Sequence, residues 1–120
     1  MKILVCEDDY MMVKAIEHKL KSEGYIVDVV MDGNQASEKL SQASYDLVMT
    51  DLLMPFVGGL ELINIIRNEL KLQMPIIVLS RLGNEDTIIE AFKLGADDYI
   101  TKPFSPNEVS IRVKRLLIRR

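Results

Sequence analysis

The chain has 120 residues, a net charge of −3 at neutral pH and a single cysteine, Cys6. Hydrophobic residues make up 48% of it and charged residues 28%, a balance typical of one soluble globular domain. No apolar run approaches the roughly 20 residues of a membrane-spanning helix, one cysteine excludes an internal disulfide, and the acidic balance gives no general attraction to nucleic acid. We therefore expect a cytoplasmic protein without a membrane segment.

Short apolar runs and segments of helical periodicity alternate along the chain. The runs that predict strands are, in order, Lys2–Cys6, Tyr25–Val30, Tyr45–Thr50, Pro75–Ser80 and Asp98–Thr101. The apolar stripes that predict the helices between and after them are Met12, Ala15, Ile16 and Leu20; Ala36, Leu40 and Ala43; Leu60, Ile63, Ile66 and Leu70; Ile88, Ala91 and Phe92; and Val109, Val113, Leu116 and Leu117.

Turn residues separate these segments. Gly24 and Gly95 are predicted to end the first and fourth helices, while turns or loops are expected at Asp32–Gly33, Pro55 and Gly58–Gly59. Strands that alternate with helices across short connections predict an α/β fold, (βα)5, with a doubly wound parallel five-stranded sheet and right-handed crossovers.

Polar side chains gather where four of the five predicted strands end. Ligands of open α/β sheets bind beyond the carboxyl ends of the strands, so these positions form the candidate site. They are Glu7, Asp8 and Asp9 after the first strand, Asp51 at the end of the third, Ser80 at the end of the fourth and Lys102 after the fifth. Individually, each has an ordinary explanation: Asp9 suits the N-cap of the first helix, and a lone lysine is usually solvated.

Their combination predicts phosphoryl-transfer chemistry. Carboxylates held close together repel unless a cation lies between them, and Mg²⁺ prefers carboxylate, water and phosphate oxygens. Lys102 adds a positive charge suited to phosphate, and a carboxylate such as Asp51 can act as the nucleophile.

These motifs together resemble the receiver domain of two-component response regulators, over essentially the whole chain. The matching stretches are "ILVCEDD" (3–9), "DLVMTDLLMPFVGGLEL" (46–62), "IIVLS" (76–80) and "GADDYITKPFSPNEV" (95–109). The last stretch is most similar to the OmpR/PhoB-type subgroup. The resemblance implies the flavodoxin-like, CheY-like receiver fold over residues 1–120. It also implies that these residues are the N-terminal part of a longer regulator with a DNA-binding output domain.

The resemblance also implies roles for individual residues. Asp51 would accept a phosphoryl group from a sensor histidine kinase, Ser80 would hydrogen-bond it, and Lys102 would pair with it. Mg²⁺ would be held by Asp8, by Asp51, by the main-chain carbonyl of Leu53 and, through water, by Glu7. Tyr99 would be the aromatic switch, and the Lys102–Pro103 peptide would be cis. Such a domain catalyses its own phosphorylation and dephosphorylation rather than turning over an external substrate.

Two positions depart from the family pattern and bear on assembly. Arg81 stands where a small residue usually follows the switch hydroxyl, and Ile88 stands where the fourth helix usually has a basic residue. The resemblance implies a homodimer through the fourth helix, fifth strand and fifth helix, in which Asp98 meets Arg112 and Asp97 meets Lys114 of the other protomer. We expect an apolar patch of Ile88, Ile89 and Phe92, extended by Val109, to replace the lost ion pair of Glu108.

Other functions of this fold class fit less well. Three acids after the first strand would repel the phosphate of a flavin cofactor. An aspartate-nucleophile phosphatase would need an acid at the position of Leu53. A receiver that binds partners without phosphate stays open as the alternative. His18, the only histidine, falls on the first helix among charged residues, so a phosphodonor histidine must come from a partner.

Overall fold

A computed structural model of the chain describes residues 1–54, 56–81 and 84–118. Pro55, for which the sequence predicts a turn, and the last two residues lie outside these ranges. Within the described ranges, none of the helices combines the length and the apolar character needed to cross a membrane.

Five parallel strands form one sheet in the order β2-β1-β3-β4-β5. Their bounds are Lys2–Cys6 (β1), Ile26–Val30 (β2), Leu47–Asp51 (β3), Ile76–Ser80 (β4) and Asp98–Thr101 (β5). The order reverses at β1, so the chain winds in both directions from that strand. The predicted (βα)5 fold is confirmed. The observed third strand begins at Leu47, two residues after the start of the predicted apolar run, and ends at Asp51 as expected.

Helices follow each strand. Their bounds are Tyr10–Ser22 (α1), Gly33–Gln42 (α2), Gly59–Asn64 (α3), Glu85–Leu94 (α4) and Pro106–Ile118 (α5), and a π-helical segment, Ile65–Glu69, continues α3. Asp9, Asp32 and Asn84 cap α1, α2 and α4 by accepting hydrogen bonds from main-chain N–H groups of the first turn. The N-cap role expected for Asp9 is confirmed, and Asp32 makes the same kind of cap where only a turn was expected.

The apolar core has two layers, one on each face of the sheet. In β1, Ile3 and Val5 face α1 and α5, whereas Leu4 and Cys6 face α2, α3 and α4. Because both faces are covered, the central strands are apolar at nearly every position rather than at alternate ones. This double burial explains the continuous apolar runs in the sequence.

One position in the predicted apolar stripes was wrong, and the structure gives more detail for two others. Ala15 is exposed, because Val13, Ile16 and Leu20 form the buried stripe of α1. Ala43 packs against the core but follows the last turn of α2 in extended conformation. Val109 is fully buried under the sheet, as the predicted stripe of α5 requires, so the expectation that it extends a surface patch with Ile88 was wrong.

Candidate functional site

Strand register brings the candidate residues to one edge of the sheet. Asp51 ends β3 and pairs with Leu79, the neighbour of Ser80 at the end of β4. Ser80 in turn pairs with Thr101, and the N–H of Lys102 donates to the carbonyl of Ser80 at 2.9 Å. The central strands therefore present their last residues side by side, as the parallel arrangement requires.

Lys102 lies between two carboxylates that come from other strands. Its Nζ is 2.7 Å from Oε1 of Glu7 and 3.2 Å from Oδ2 of Asp51. The other oxygen of Glu7 accepts the main-chain N–H groups of Asp8 and Asp9, at 3.0 and 3.3 Å. Glu7 is fully buried, and the side chains of Asp51 and Lys102 are nearly so. The three groups therefore form an ionic cluster in which each charge depends on its neighbours.

The surroundings shift the pKa of two groups in this cluster. Burial raises the pKa of Glu7, and the charge of Asp51 raises it further, although the hydrogen bond from Lys102 opposes both effects. Burial on its own would lower the pKa of Lys102, but the hydrogen bond to Glu7 and the charges of Asp51 and Glu7 outweigh it and raise the pKa. Lys102 is thus held as a cation, while the two carboxylates repel each other.

An acidic group at this edge fits a hard divalent cation. Glu7, Asp8 and Asp51 each direct a carboxylate oxygen into the same space, with all three oxygens within 4.8 Å of one another. Asp8 is exposed, whereas Glu7 and Asp51 are buried. Oxygen donors of this kind suit Mg²⁺. A cation would also relieve the repulsion by Asp51, which adds to the larger effect of burial in raising the pKa of Glu7.

A small open cavity of about 220 Å³ gives access to this cluster. Its described lining consists of Glu7, Asp8, Asp9, Asp51, Leu53, Arg81 and Lys102. Leu53 is exposed and contributes to the lining, and the metal-binding role of its main-chain carbonyl stays a prediction. Ser80 is fully buried at the end of β4, and Tyr99 is half-buried on β5. The cavity offers an anion two cations and a nucleophilic carboxylate, which is an arrangement able to support phosphoryl transfer.

Gly59 shapes the site in a way that sequence reasoning missed. A Cβ at this first residue of α3 would lie 2.4 Å from the carbonyl oxygen of Asp51 and 2.7 Å from the Cα of Leu52. Its N–H donates to the Leu52 carbonyl at 2.9 Å. Only glycine allows the helix to begin this close to the strand end. The glycine pair predicted a loop, and nothing in its spacing indicated this contact.

Two other residues singled out in the sequence lie apart from the cavity. His18 is exposed on α1, in agreement with its assignment to the surface. Cys6 is buried in β1, and burial raises the pKa of its thiol to about 12. A thiol held protonated in this way is unreactive.

The Lys102–Pro103 peptide is cis, as expected.

The charged residues of the expected dimer surface have partners within the chain. Asp98 is buried and accepts hydrogen bonds from Arg112 at 2.8 Å and from Arg115 at 3.1 Å. Arg112 also contacts Glu108 at 3.3 Å. Glu108 therefore has a basic partner, although not on α4. The double contact of Asp98 was not anticipated, because Arg115 had no assigned role.

Asp97 and Lys114 are also paired within the chain, but with other partners. Asp97 accepts from Arg67 at 3.0 Å and from the N–H of Ile76 at 2.9 Å. Lys114 lies 3.3 Å from Glu23 at the end of α1. Any contact of these residues across a dimer axis therefore remains a prediction. Ile89 and Phe92 are exposed on α4, whereas Ile88 is half-buried and therefore less accessible to a partner.

The chain is similar to signalling proteins along its length. A family model for the response regulator receiver domain matches residues 3–114. The transcriptional regulatory protein ResD of Bacillus subtilis is 42% identical over 118 residues, which cover 98% of this chain and 48% of ResD. The chain spans about half the length of the curated relatives it matches.

Solved structures share its fold. The response regulator DrrB, a Thermotoga maritima OmpR/PhoB homolog, superposes with a TM-score of 0.88 at 31% identity, covering 98% of this chain and 52% of that one. The receiver domain of the sensor histidine kinase PA1611 from Pseudomonas aeruginosa, which holds a magnesium ion in its active site cleft, superposes with a TM-score of 0.86. Its identity is 30%, and the match covers 97% of this chain and 96% of that one.

Proposed function

The chain belongs to the response regulator receiver domain family, with OmpR/PhoB-type resemblance, and we propose that it is a signalling switch that accepts a phosphoryl group on Asp51 from a histidine kinase. One observation carries the proposal. The buried ammonium of Lys102 lies against both Asp51 and Glu7, at the base of a cavity that is otherwise mainly acidic. A structural ion pair needs one carboxylate, whereas a phosphoryl site needs this excess of acid to hold a metal beside the nucleophile.

The cation that fits this site is Mg²⁺. Asp8, Asp51 and the main-chain carbonyl of Leu53 would hold it, and Glu7 would do so through water. When bound, Mg²⁺ supplies positive charge that offsets the carboxylates and the oxygens of an incoming phosphoryl group. The close approach of the three carboxylate oxygens supports this assignment.

The transfer itself needs one nucleophile and a fixed set of donors. An Asp51 carboxylate oxygen forms a bond to phosphorus while the phosphorus–nitrogen bond of the donor's phosphohistidine breaks. The electron pair of that bond stays with the imidazole, which takes up a proton. Lys102 already lies 3.2 Å from Asp51, so its ammonium can pair with the negatively charged oxygens of the phosphoryl group once it is bound to Asp51. Ser80 would hydrogen-bond the phosphoryl group, and Tyr99 would then move inward as the switch.

Intact mass measurement tests the acceptor. Wild-type protein incubated with acetyl phosphate and Mg²⁺ is expected to gain about 80 Da, the mass of one phosphoryl group. Asp51→Asn is expected to gain nothing, because an amide is a poor nucleophile. Asp86→Asn, an equivalent change at an exposed position in the first turn of α4, is expected to behave as wild type.

Other results would assign the function differently. An equal mass gain in Asp51→Asn would show that another residue is the acceptor. A wild-type protein that stays unmodified with acetyl phosphate and with a cognate kinase would support the alternative, a phosphate-independent interaction module. Omitting Mg²⁺ is expected to suppress the gain, and full labelling without a divalent cation would remove the metal from the proposal.

Membership of the receiver family also supports a proposal for how phosphorylation changes the protein's assembly. We propose that the phosphorylated domain pairs through α4, β5 and α5, using Ile88, Ile89, Phe92, Asp97, Asp98, Arg112 and Lys114. In this proposal the domain acts in the cytoplasm and controls a separate DNA-binding output domain. The described residues all belong to the receiver domain.

A further inference from the structure

Arg81 differs in its surroundings from the other arginines whose side chains the structure describes. It follows Ser80 directly at the end of β4, and its exposed side chain lines the cavity that leads to Asp51. Arg67, Arg112 and Arg115 each make ion pairs with nearby acids. Among the described residues, none makes a hydrogen bond or ion pair with Arg81.

The composition of the cavity makes this lack of a partner informative. Four carboxylates line it, those of Glu7, Asp8, Asp9 and Asp51. Lys102, the other cation, is shared between Glu7 and Asp51. A guanidinium that served only to neutralise the acids would be expected to contact one of them. Arg81 instead has no acceptor among the residues that the structure describes, so its five N–H donors can serve an anion in the cavity.

We propose that Arg81 is a binding residue for the phosphoryl group on Asp51, a role that rests on the proposed function. Lys102 contacts the group from the buried side, and Arg81 donates to an oxygen on the solvent side. A planar guanidinium suits phosphate oxygens because it can present two parallel N–H donors. The phosphoryl group is then held by two cations from different strands, one after β4 and one after β5.

Beryllofluoride, a phosphoryl mimic, provides the test, because its affinity does not depend on hydrolysis. Wild-type protein is titrated with beryllofluoride in the presence of Mg²⁺. Arg81→Gln, which removes the charge and the guanidinium and leaves a shorter polar side chain, is expected to weaken binding about tenfold or more, as for loss of a hydrogen bond to a charged group. Arg81→Lys keeps the charge but lacks the two parallel N–H donors, so its affinity for beryllofluoride is expected to lie between those of the wild type and Arg81→Gln. Lys93→Gln removes one exposed positive charge from the last turn of α4 and is expected to match wild type.

Fluorine NMR of the bound mimic distinguishes direct contact from a general effect of charge. A fluorine that accepts from the guanidinium is expected to change its resonance in Arg81→Gln but not in Lys93→Gln. Equal affinity and unchanged resonances in Arg81→Gln would overturn the proposal while leaving the proposed function intact. No Mg²⁺-dependent binding by the wild type would overturn the proposed function, and the role of Arg81 with it. Since Arg81 has no partner among the described residues, the variants are expected to fold normally.

Discussion

Phe56 adopts a backbone conformation that bulky residues rarely tolerate. Its φ is 65°, and its side chain is 83% exposed on the loop between β3 and α3. A Cβ in this left-handed region crowds the following carbonyl, and such a residue typically costs about 1–3 kcal/mol. Little burial of the ring is available to offset that cost. The strain lies on the same loop as Leu53, at the mouth of the cavity.

Glycine at this position is expected to relieve the strain. Phe56→Gly and Phe56→Ala both remove the ring, but only glycine removes the Cβ. We therefore expect the glycine variant to be more stable than the alanine variant by about 1 kcal/mol in urea unfolding. At Leu53, which has no positive φ, the order is expected to reverse, because glycine gains more freedom in the unfolded chain. Equal stability of the two Phe56 variants would show that the conformation is not strained.

At the scale of elements, Glu23 joins the end of α1 to α5. Its carboxylate accepts a hydrogen bond from the buried Ser110 hydroxyl at 2.6 Å and lies 3.3 Å from Lys114 and 3.6 Å from Lys19. The hydrogen bond from Ser110 and the two lysines hold the pKa of Glu23 below its ordinary value, against a smaller opposing effect of burial. The two helices on this face of the sheet are therefore connected by a charged contact as well as by apolar packing.

The lowered pKa makes this contact dependent on pH. A carboxyl group with a lower pKa in the folded state stabilises the protein above its unfolded pKa, and this stabilisation disappears as the pH falls through the folded pKa. Glu23→Gln is expected to lower the free energy of unfolding by about 1 kcal/mol at neutral pH. The difference is expected to vanish in acid, below the folded pKa. Glu38→Gln, at an exposed site on α2, serves as the control, and a deficit of Glu23→Gln that persisted in acid would contradict the prediction.

At the scale of the whole molecule, the intrachain ion pairs change the expected energetics of a dimer. For Asp98 to meet Arg112 of a second protomer, the existing 2.8 Å contact within the chain must open. The contact of Lys114 with Glu23 must open in the same way. Each exchange replaces one ion pair by another, and an exposed pair such as that of Lys114 contributes only about 0–1 kcal/mol. The net ionic gain is therefore small, and association must depend on the apolar residues of α4.

Substitutions can separate the apolar and ionic contributions to the dimer. In sedimentation with Mg²⁺ and beryllofluoride, we expect Phe92→Lys, which charges a side chain that is 44% exposed, to prevent dimerisation. Lys114→Gln is expected to change the association constant by less than about tenfold. Ile26→Lys alters an exposed apolar residue on β2, at the opposite edge of the sheet, and is the matched control.

The opposite pattern would contradict this interface. A wild-type domain that stays monomeric when activated, or a dimer sensitive to Lys114→Gln but not to Phe92→Lys, would exclude an apolar contact on α4. Loss of the dimer in Ile26→Lys would place the interface on the other edge of the sheet.

The sequence alone determined the succession of strands and helices along the chain and the edge of the sheet at which the site lies. Continuous apolar runs identify strands covered on both faces, and the carboxyl ends of parallel strands meet at one edge, so Asp51, Ser80 and Lys102 could be placed together without coordinates. These inferences hold because periodicity and strand direction are local properties of the chain. They were less reliable at single positions such as Ala15, where the rotation of a helix about its axis decides which side chain is buried.

Only the tertiary structure decided which groups contact each other across that edge. Lys102 contacts Glu7 and Asp51 together, Gly59 approaches the carbonyl of Asp51, and Asp98 is enclosed by Arg112 and Arg115 of its own chain. Arg81 lines the cavity without a described partner. Most of these contacts join segments far apart in the sequence, and their distances depend on helix packing and loop paths. Periodicity records which face of an element is buried, but it does not record the distance between two elements.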